Sequence, residues 1–394
     1  MATAVTATKP PPWRDVRVLR VAGQILFLLI VLVVVRELWL NLEFNLRRIG
    51  VELGFGFLDR RAGFGITEGI EYSPNDTYRE ALFVGFVNTL RIAIPGIVAA
   101  TLIGLFVGVG RLSPNWLLRK LSLVYVEILR NTPVLMVIVI LFVGVILPLP
   151  PIGGGFSIPN TLYLSNRGMA LTTVRPTGGF LPWILFLALA FAAAAFVWRW
   201  RTRVNERTGE PHHRVLYAVP AFLAVAVIGA ALTGPLRLDV AGLGERGFNY
   251  EGGFNLTAQY AAVFLGLVLY TSAFIAEIIR GSIQAVSKGQ KEAAEALGLT
   301  PFQQLRFVVL PQAMRVAIPP LNSQYLNLTK NSTLGVIIGY ADLANVAKTA
   351  INQSGGASYQ IVLILVGTFL VLSLTISFFM NLLNRAVTRK GAAR

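Results

Sequence analysis

Long apolar stretches separated by short polar ones run along most of the chain. A helix needs roughly 20 apolar residues to cross the ~30 Å hydrocarbon core of a membrane, and eight stretches come close to that length. They are Val18–Leu40, Leu82–Gly110, Leu121–Leu147, Phe180–Trp198, Val215–Leu232, Leu256–Ile279, Leu321–Ile338 and Tyr359–Leu383. The pattern predicts an all-α polytopic membrane protein with about eight transmembrane helices.

The seventh stretch is the most polar of the eight. Its segment from Asn322 to Thr333 carries amide, hydroxyl and ammonium groups, which lipid cannot satisfy. We therefore expect this span to be short or partly unwound, with its polar groups lining a cavity, capping a broken helix, or both. The candidates for a translocation path are Asn327, Lys330, Asn331, Ser332 and Thr333.

A short polar segment, Lys291–Pro311, joins the sixth and seventh stretches and predicts two small helices with a hinge. Good helix formers from Gln290 to Leu297 favour the first helix, and Gly298 follows where a left-handed residue would end it. Such a hairpin is too small to bury a core of its own. Its Ala and Leu face therefore predicts docking onto another protein.

The second small helix carries its own start signals. Thr300 stands at the N-cap, Pro301 at the first helical position and Gln303 where it can cap the helix reciprocally. Pro311 is expected to end this helix.

The hairpin resembles the EAA loop of the membrane subunits of ATP-binding-cassette importers. The matching residues are Glu292, Ala293, Ala294, Gly298, Leu310 and Pro311, with Val308 where the pattern usually has Ile. In that family the loop is the coupling helix that sits in a groove of the cytoplasmic ATPase subunit. The resemblance implies that these residues couple the chain to an ATPase.

A second motif, Glu127 to Pro133, resembles the E-x-x-R-x-T-P signature of the amino-acid importer branch, where it begins the second core span. Glu127 and Arg130 lie three residues apart, so an ion pair at an interface is the alternative.

Glu277 is a further candidate for the path because ionisable residues inside spans are often functional. Arg280 lies about one turn away, however, and a structural pair is the favoured interpretation.

A third feature concerns substrate. Many family members have Lys-Asp-(Thr/Ser)-Ser at Lys330–Thr333, whereas this chain has Asn331 in place of the acid. This departure resembles the branch represented by the general L-amino-acid permease and the related glutamate/glutamine/aspartate/asparagine systems. The resemblance implies transport of polar or acidic L-amino acids such as Glu, Gln, Asp and Asn, within a range that could be broad.

Gly104 and Gly108 give the second span a GxxxG spacing, which permits close helix approach. In so apolar a helix, ordinary packing within the chain is the expected use.

Composition and charge narrow the class of protein further. The chain of 394 residues is 55% hydrophobic and 14% charged, with a mean hydropathy of +0.64, as in polytopic membrane proteins. The net charge is +16. If the N-terminus is cytoplasmic, the segments between the spans place twenty basic residues on the cytoplasmic side of the membrane and ten on the outer side. This bias argues against nucleic-acid binding and predicts that both termini are cytoplasmic.

The family has a five-span core, and this chain adds an N-terminal span and an inserted pair that preserves orientation. The expected segments follow this comparison. They are a cytoplasmic tail (1–17), the extra span (18–40), a periplasmic segment (41–81), the first core part (82–147), an insertion with two spans (148–255), the second core part (256–384) with the EAA loop at 281–320, and a cytoplasmic tail (385–394).

Catalysis by this chain is not expected. No Gly-Lys dipeptide occurs, so a Walker A phosphate loop is absent, and the spans show no nucleophile with a base. The chain has no cysteine, and His212 and His213 have few acidic neighbours, so we expect no metal site. No cofactor is expected on this chain, with ATP and Mg²⁺ on partner subunits.

The expected partners are two copies of a cytoplasmic ATPase subunit, a second homologous permease chain, a periplasmic amino-acid-binding protein and membrane lipid, all at the bacterial inner membrane. The alternative is a secondary transporter or channel for small polar solutes, which could also present polar broken helices. The EAA hairpin separates the two.

Overall fold

The computed structural model describes residues 16–48, 54–209, 213–244 and 250–392. Residues 1–15 of the expected N-terminal tail, together with His212 and the last two residues of the C-terminal tail, lie outside this range.

Helices dominate the described chain. The α-helices are α1 (Val16–Arg48), α2 (Tyr78–Gly110), α3 (Trp116–Arg130), α4 (Val134–Val139), α5 (Phe180–Thr208), α6 (Arg214–Thr233), α7 (Ala258–Gln284), α8 (Lys288–Ala296), α9 (Pro301–Gln304), α10 (Leu310–Asn331), α11 (Leu343–Gln353) and α12 (Ser358–Ala392). Tighter or wider helical turns occur as 3₁₀ segments at Gly56–Asp59 and Ser332–Ile338 and as π segments at Ile140–Ile146 and Leu305–Val309.

Six of the described helices are long and apolar enough to cross a membrane: α1, α2, α5, α6, α7 and α12. Counting each of two bent helix pairs as one span raises the number to eight. The predicted polytopic helical architecture is therefore confirmed.

The third predicted span is not one helix. The chain bends by 106° between α3 and the helical segment Val134–Ile146, so the prediction of a continuous helix from Leu121 to Leu147 was wrong. Asn131 closes α3 by donating its backbone N–H to the Glu127 carbonyl at 3.2 Å. Pro133 then restricts Thr132 and offers no N–H of its own, which prevents α3 from continuing.

The seventh predicted span begins earlier than expected. Helical structure is continuous from Pro301 to Ile338 and passes through Pro311, so the prediction that Pro311 ends the second small helix was wrong. The π segment Leu305–Val309 precedes the proline, and the Leu310 N–H bonds to the Leu305 carbonyl across this wider turn. Pro311 then sits in the first turn of α10, where a missing N–H costs little.

The described residues form two compact units: those within 1–87 with 343–372, and those within 88–342 with 373–394. In the first unit, Phe57, Phe64 and Tyr78 form an aromatic cluster with ring centroids 5.8–6.3 Å apart. Gly85 lies directly against Leu343 and Val346, which brings the start of α2 onto α11.

The second unit is built around α7. Its core joins α7 residues such as Leu267 and Ile275, both fully buried, to Ile92 of α2, Ile138 of α4 and Leu328 of α10. Thr257 caps the start of α7 by accepting the Tyr260 N–H at 3.0 Å. This helix therefore organises the packing of the core spans.

The insertion contains strands that the sequence did not predict. They are β1 (Phe156–Ile158), β2 (Leu162–Ser165), β3 (Gly168–Leu171), β4 (Thr173–Pro176), β5 (Leu236–Asp239), β6 (Gly242–Leu243), β7 (Tyr250–Glu251) and β8 (Phe254–Thr257). One antiparallel sheet has the order β1-β2-β3-β8, and β4-β5 and β6-β7 form two ribbons. Since β8 runs directly into α7, the sheet is continuous with the central helix.

Gly104 and Gly108 allow α2 to approach α7 closely. A β-carbon on Gly104 would lie 2.6 Å from Cγ2 of Ile275, and one on Gly108 would lie 2.7 Å from the Ala276 carbonyl oxygen. Both distances are shorter than real carbon contacts. The expected use of the GxxxG spacing in packing within the chain is confirmed.

Replacement of Gly104 by Ala should destabilise the purified chain by about 1–3 kcal/mol, because the added methyl overpacks the α2–α7 contact. Gly281 is the matched control, since it also lies in a helix but has no atom within 4 Å of the position that an added methyl would occupy. Gly281→Ala should leave stability unchanged or raise it, because Ala favours helix over Gly. Thermal unfolding in detergent measures both, and equal midpoints for the two variants would contradict the packing account.

Candidate functional site

The first small helix ends as the sequence predicted. α8 spans Lys288–Ala296, and Gly298 adopts a left-handed conformation with φ +70°. The Leu299 N–H donates to the Ala294 carbonyl at 3.1 Å, which closes the turn beyond the helix. Only glycine adopts this φ without strain from a β-carbon, so Gly298 fixes the direction in which the chain leaves α8.

The start of the second helix is also confirmed. The Gln303 N–H donates to Oγ1 of Thr300 at 3.4 Å, and the Thr300 N–H donates to Oε1 of Gln303 at 2.9 Å. This reciprocal capping box satisfies two backbone donors that the helix itself leaves unpaired. α8, Gly298 and α9 therefore form a defined hairpin, here called the coupling hairpin (288–311).

Contacts with neighbouring helices hold the inner side of the coupling hairpin. Val309 packs with Ala313 of α10 and Val286 in a small buried cluster. Nε2 of Gln312 donates to Oε1 of Gln290 at 3.2 Å, which joins α10 to α8. The hairpin is therefore attached at one end to α7 and at the other to α10.

The outer side of the coupling hairpin is apolar and exposed. Leu297 is 79% exposed and Phe302 is 67% exposed, although both are large hydrophobic side chains outside the apolar spans. Leu305 and Leu310 of the same segment are also exposed, so the exposed apolar side chains form a group and do not occur singly. Phe302 was not among the residues predicted from the sequence. The feature that could have identified it is a large aromatic side chain directly after Pro301 in a polar segment.

The six predicted coupling residues divide between the two sides. Glu292, Ala293 and Gly298 are exposed, and Leu310 is 44% exposed. Ala294 is buried at 2% exposure, and Pro311 is half-buried in the first turn of α10. Ala294 and Pro311 therefore hold the hairpin in place, while the other four residues are available to a partner.

Glu277 belongs to an ion-pair cluster. It accepts hydrogen bonds from Arg111 at the end of α2 and from Arg280 one turn along α7. The Glu277 side chain is 25% exposed, and that of Arg111 is 13% exposed. The expected pairing of Glu277 with Arg280 is present, and Arg111 is a second partner that spacing along the chain could not reveal.

The motif around Glu127 is arranged differently from the proposed ion pair. Glu127 and Arg130 both lie within the described residues and form no ion pair there. Glu127 accepts a hydrogen bond from Nδ2 of Asn131 at 3.3 Å, and the Arg130 guanidinium carbon lies 5.5 Å from the Phe274 ring centroid of α7. The motif therefore caps the bend after α3 and contacts α7 through a cation–π interaction.

Three of the predicted path residues lie near one end of α10. Asn327 and Lys330 are exposed and Asn331 is half-exposed. Ser323, which was not predicted, is exposed one turn before Asn327. Within the part of the chain that the structure describes, Lys330 makes no ion pair. Ser323, Asn327 and Lys330 are spaced so that they lie on one side of the helix. They are here called the polar face of α10.

Ser332 and Thr333 are placed differently. The Ser332 hydroxyl is buried and donates to the Thr329 carbonyl at 2.8 Å, and the Thr333 hydroxyl donates to the Lys330 carbonyl at 2.8 Å. Both residues begin the 3₁₀ segment Ser332–Ile338. The expectation of a short or partly unwound span over Asn322–Thr333 was wrong for Asn322–Asn331, which is regular α-helix. These two residues cap the transition from α-helix to 3₁₀-helix. Among the described residues, no group of three His, Cys, Asp or Glu side chains could hold a metal ion.

Comparison with known proteins places the chain among membrane transport components. Residues 211–389 match the family model for the binding-protein-dependent transport system inner membrane component. The general L-amino acid transport system permease protein AapQ of Rhizobium johnstonii is 44% identical over 346 residues, covering 87% of this chain and 86% of the relative.

Two further matches have similar names. The glutamate/glutamine/aspartate/asparagine transport system permease protein BztB of Rhodobacter capsulatus is 37% identical over 413 residues, covering 95% of each chain. Among solved structures, a chain of an amino acid ABC transporter crystallised with histidines is 20% identical with a TM-score of 0.46, and the match covers 78% of this chain and 95% of that one.

Replacement of Glu277 by Gln should destabilise the chain by about 1–3 kcal/mol, because Arg111 and Arg280 lose their shared acceptor in a half-buried site. Glu292→Gln is the matched control, since this exposed carboxylate forms no ion pair within the described chain. Thermal unfolding of both variants in detergent tests this expectation. A midpoint for Glu277→Gln equal to that of Glu292→Gln would show that the cluster does not hold α2 to α7.

Proposed function

The chain belongs to the family of binding-protein-dependent transport system inner membrane components, and we propose that it is the permease subunit of an ATP-binding-cassette importer of L-amino acids. The observation that carries this proposal is the coupling hairpin, with its Gly298 hinge and exposed Leu297 and Phe302. The names of the two relatives support the substrate class.

The coupling hairpin is the docking site for a cytoplasmic ATPase subunit. Because α8 follows α7 after a short turn and α9 leads continuously into α10, a displacement of the hairpin moves two core helices. ATP and Mg²⁺ are bound by the ATPase subunits, of which two copies serve two permease chains. Closure of the ATPase pair on ATP then moves the hairpins and drives the core helices between outward-facing and inward-facing states.

The polar face of α10 supports a second permease chain. Ser323, Asn327 and Lys330 are exposed, and lipid cannot satisfy such groups at membrane depth. A path between two chains would give these groups water and substrate as partners. A homologous but different permease chain completes the pathway, and an extracytoplasmic binding protein delivers the amino acid.

The same polar face fits the chemistry of an amino-acid carboxylate. Lys330 supplies a cation, and Asn327 and Asn331 supply amide donors and acceptors. Asn331 also avoids a fixed negative charge that would repel acidic substrates. Polar and acidic amino acids are therefore the proposed substrates, in agreement with the name of the relative BztB.

The proposed orientation puts both termini and the coupling hairpin in the cytoplasm, where ATP is available. The excess of basic residues in the segments assigned to this side supports it.

Gly298→Asp should abolish transport while the chain remains in the membrane. A side chain at φ +70° strains the turn, and the added carboxylate lies on the docking surface. Glu292→Lys should have the same effect through reversed charge on an exposed residue of α8. Gly289→Ala is the control, because Gly289 lies in the same helix with open space around it and should keep normal uptake. Normal uptake by Gly298→Asp would refute the coupling role of this turn.

Single cysteines test the orientation cleanly because the chain has none of its own. Thr67→Cys, Asn166→Cys and Ser354→Cys should react with an impermeant thiol reagent added outside intact cells. Asn205→Cys and Ser287→Cys should react only after the cells are opened. Labelling of Ser287→Cys in intact cells would invert the topology and remove the hairpin from the side where ATP is found.

Asn331→Asp tests the role of the path residue. If Asn331 helps admit acidic substrates, the new charge should lower glutamate uptake relative to lysine uptake by about tenfold, the effect of roughly 1.4 kcal/mol. Parallel uptake of labelled glutamate, glutamine and lysine measures the ratio. An unchanged ratio would assign selectivity to the binding protein and the second permease chain.

A further inference from the structure

The inserted helices α5 and α6 form a hairpin that packs mainly on itself. Nε1 of Trp183 donates to the Ala226 carbonyl at 3.0 Å, and the rings of Phe191 and Phe222 meet edge to face at 4.8 Å. Gly229 lies directly beneath Phe186, which brings the two helices close together. The pair is therefore a stable unit, although the coupling mechanism assigns it no role.

The two helices differ in length. α5 has 29 residues and α6 has 20. At 1.5 Å per residue α5 is ~43 Å long, which exceeds the ~30 Å hydrocarbon core of a bilayer. The apolar part of α5 ends at Trp198, so its last turns extend beyond the hydrocarbon to the level of the lipid headgroups.

Two arginines at this end fix the hairpin. The guanidinium carbon of Arg201 lies 4.6 Å from the ring centroid of Tyr217 on α6, and that of Arg214 on α6 lies 4.5 Å from the ring centroid of Trp198. These reciprocal cation–π contacts join the ends of α5 and α6. They also fix the rotation of α5 and thereby decide which of its side chains face outward.

Three further arginines, Arg199, Arg203 and Arg207, follow one another at intervals of four residues. This spacing puts them along one side of α5 over ~12 Å. All three are exposed, and none forms an ion pair with any residue that the structure describes. Glu206 is the one carboxylate in Arg199–Thr208, and it too forms no ion pair within the described chain. The stripe therefore presents three guanidinium groups against one carboxylate.

We infer that the stripe of Arg199, Arg203 and Arg207 binds the phosphate groups of anionic phospholipids. The guanidinium fork matches phosphate oxygens in a bidentate manner, and each basic group near a membrane surface adds to the attraction for anionic lipid. The position at headgroup level next to exposed Trp198 and Trp200, which favour the membrane interface, selects lipid over a soluble phosphate. The insertion thus supplies a lipid site outside the transport path.

The site can be tested on the full-length chain in detergent with fluorescent short-chain phosphatidylglycerol, and with phosphatidylcholine as the neutral lipid. Phosphatidylglycerol should bind saturably and at least about tenfold more tightly than phosphatidylcholine. The triple variant Arg199→Gln, Arg203→Gln and Arg207→Gln should lose this preference. The triple Arg→Lys variant should still prefer phosphatidylglycerol but bind it more weakly than the unchanged chain, because the charges remain and the bidentate guanidinium contacts are lost.

A matched control removes three positive charges elsewhere through Arg119→Gln, Lys120→Gln and Arg385→Gln, all on exposed residues. This control should keep the preference for phosphatidylglycerol. If both triple Gln variants lost the preference for phosphatidylglycerol equally, the preference would come from the net charge of the chain, and the proposed site would be refuted. Full competition by millimolar inorganic phosphate would also overturn it, because the stripe would then be a soluble-anion site. Neither result depends on uptake activity, so the test is independent of the proposed transport function.

Discussion

The close contact between α2 and α7 is the constraint on which the core of this protein depends. Gly104 and Gly108 remove the side chains that would hold the helices apart, and Ile275 and Ala276 occupy the space. At the end of the same contact, Glu277 accepts hydrogen bonds from Arg111, which directly follows α2, and from Arg280 of its own helix. In lipid, where water supplies no hydrophobic driving force, helices associate through close packing. The ion pair then fixes the register of α2 against α7.

α7 links the sheet of the insertion to the coupling hairpin. The helix begins where strand β8 ends and, after a short turn, leads into the coupling hairpin. The other arm of the hairpin continues through α10 to the 3₁₀ segment Ser332–Ile338. The turn at Gly298 joins the two arms, and hydrogen bonds from the Gly298 and Leu299 N–H groups to carbonyls of α8 hold it closed. In the proposed function, a displacement of the hairpin would therefore be passed to α7 and α10 together.

Features that depend on adjacent residues were predictable from the sequence, whereas contacts between residues far apart along the chain were not. The C-terminal Gly298 and the Thr300–Gln303 capping box each depend on a few adjacent residues, so they could be recognised directly. Arg111 could not be recognised as the partner of Glu277, because 166 residues separate the two along the chain. The strands of the insertion were missed because they are short and lie between Pro and Gly residues without clear alternation.

Two prolines show why a residue type alone does not decide a helix boundary. Pro133 coincides with a bend of 106° that the apolar run Leu121–Leu147 concealed. Pro311, in contrast, lies inside a continuous helical run, because the π segment Leu305–Val309 accommodates it. The difference lies in the turn that precedes each proline.

The central claim is that the exposed apolar side of the coupling hairpin docks onto an ATPase. A photo-crosslinking amino acid at Leu297, which is 79% exposed, tests it directly in the native membrane. The same residue at Leu223 of α6, which is 52% exposed in an apolar span, serves as the control. The account predicts that position 297, and not position 223, captures a chain with a Walker A phosphate loop, identified by mass spectrometry. Capture of no such chain at position 297, or equal capture at both positions, would contradict it.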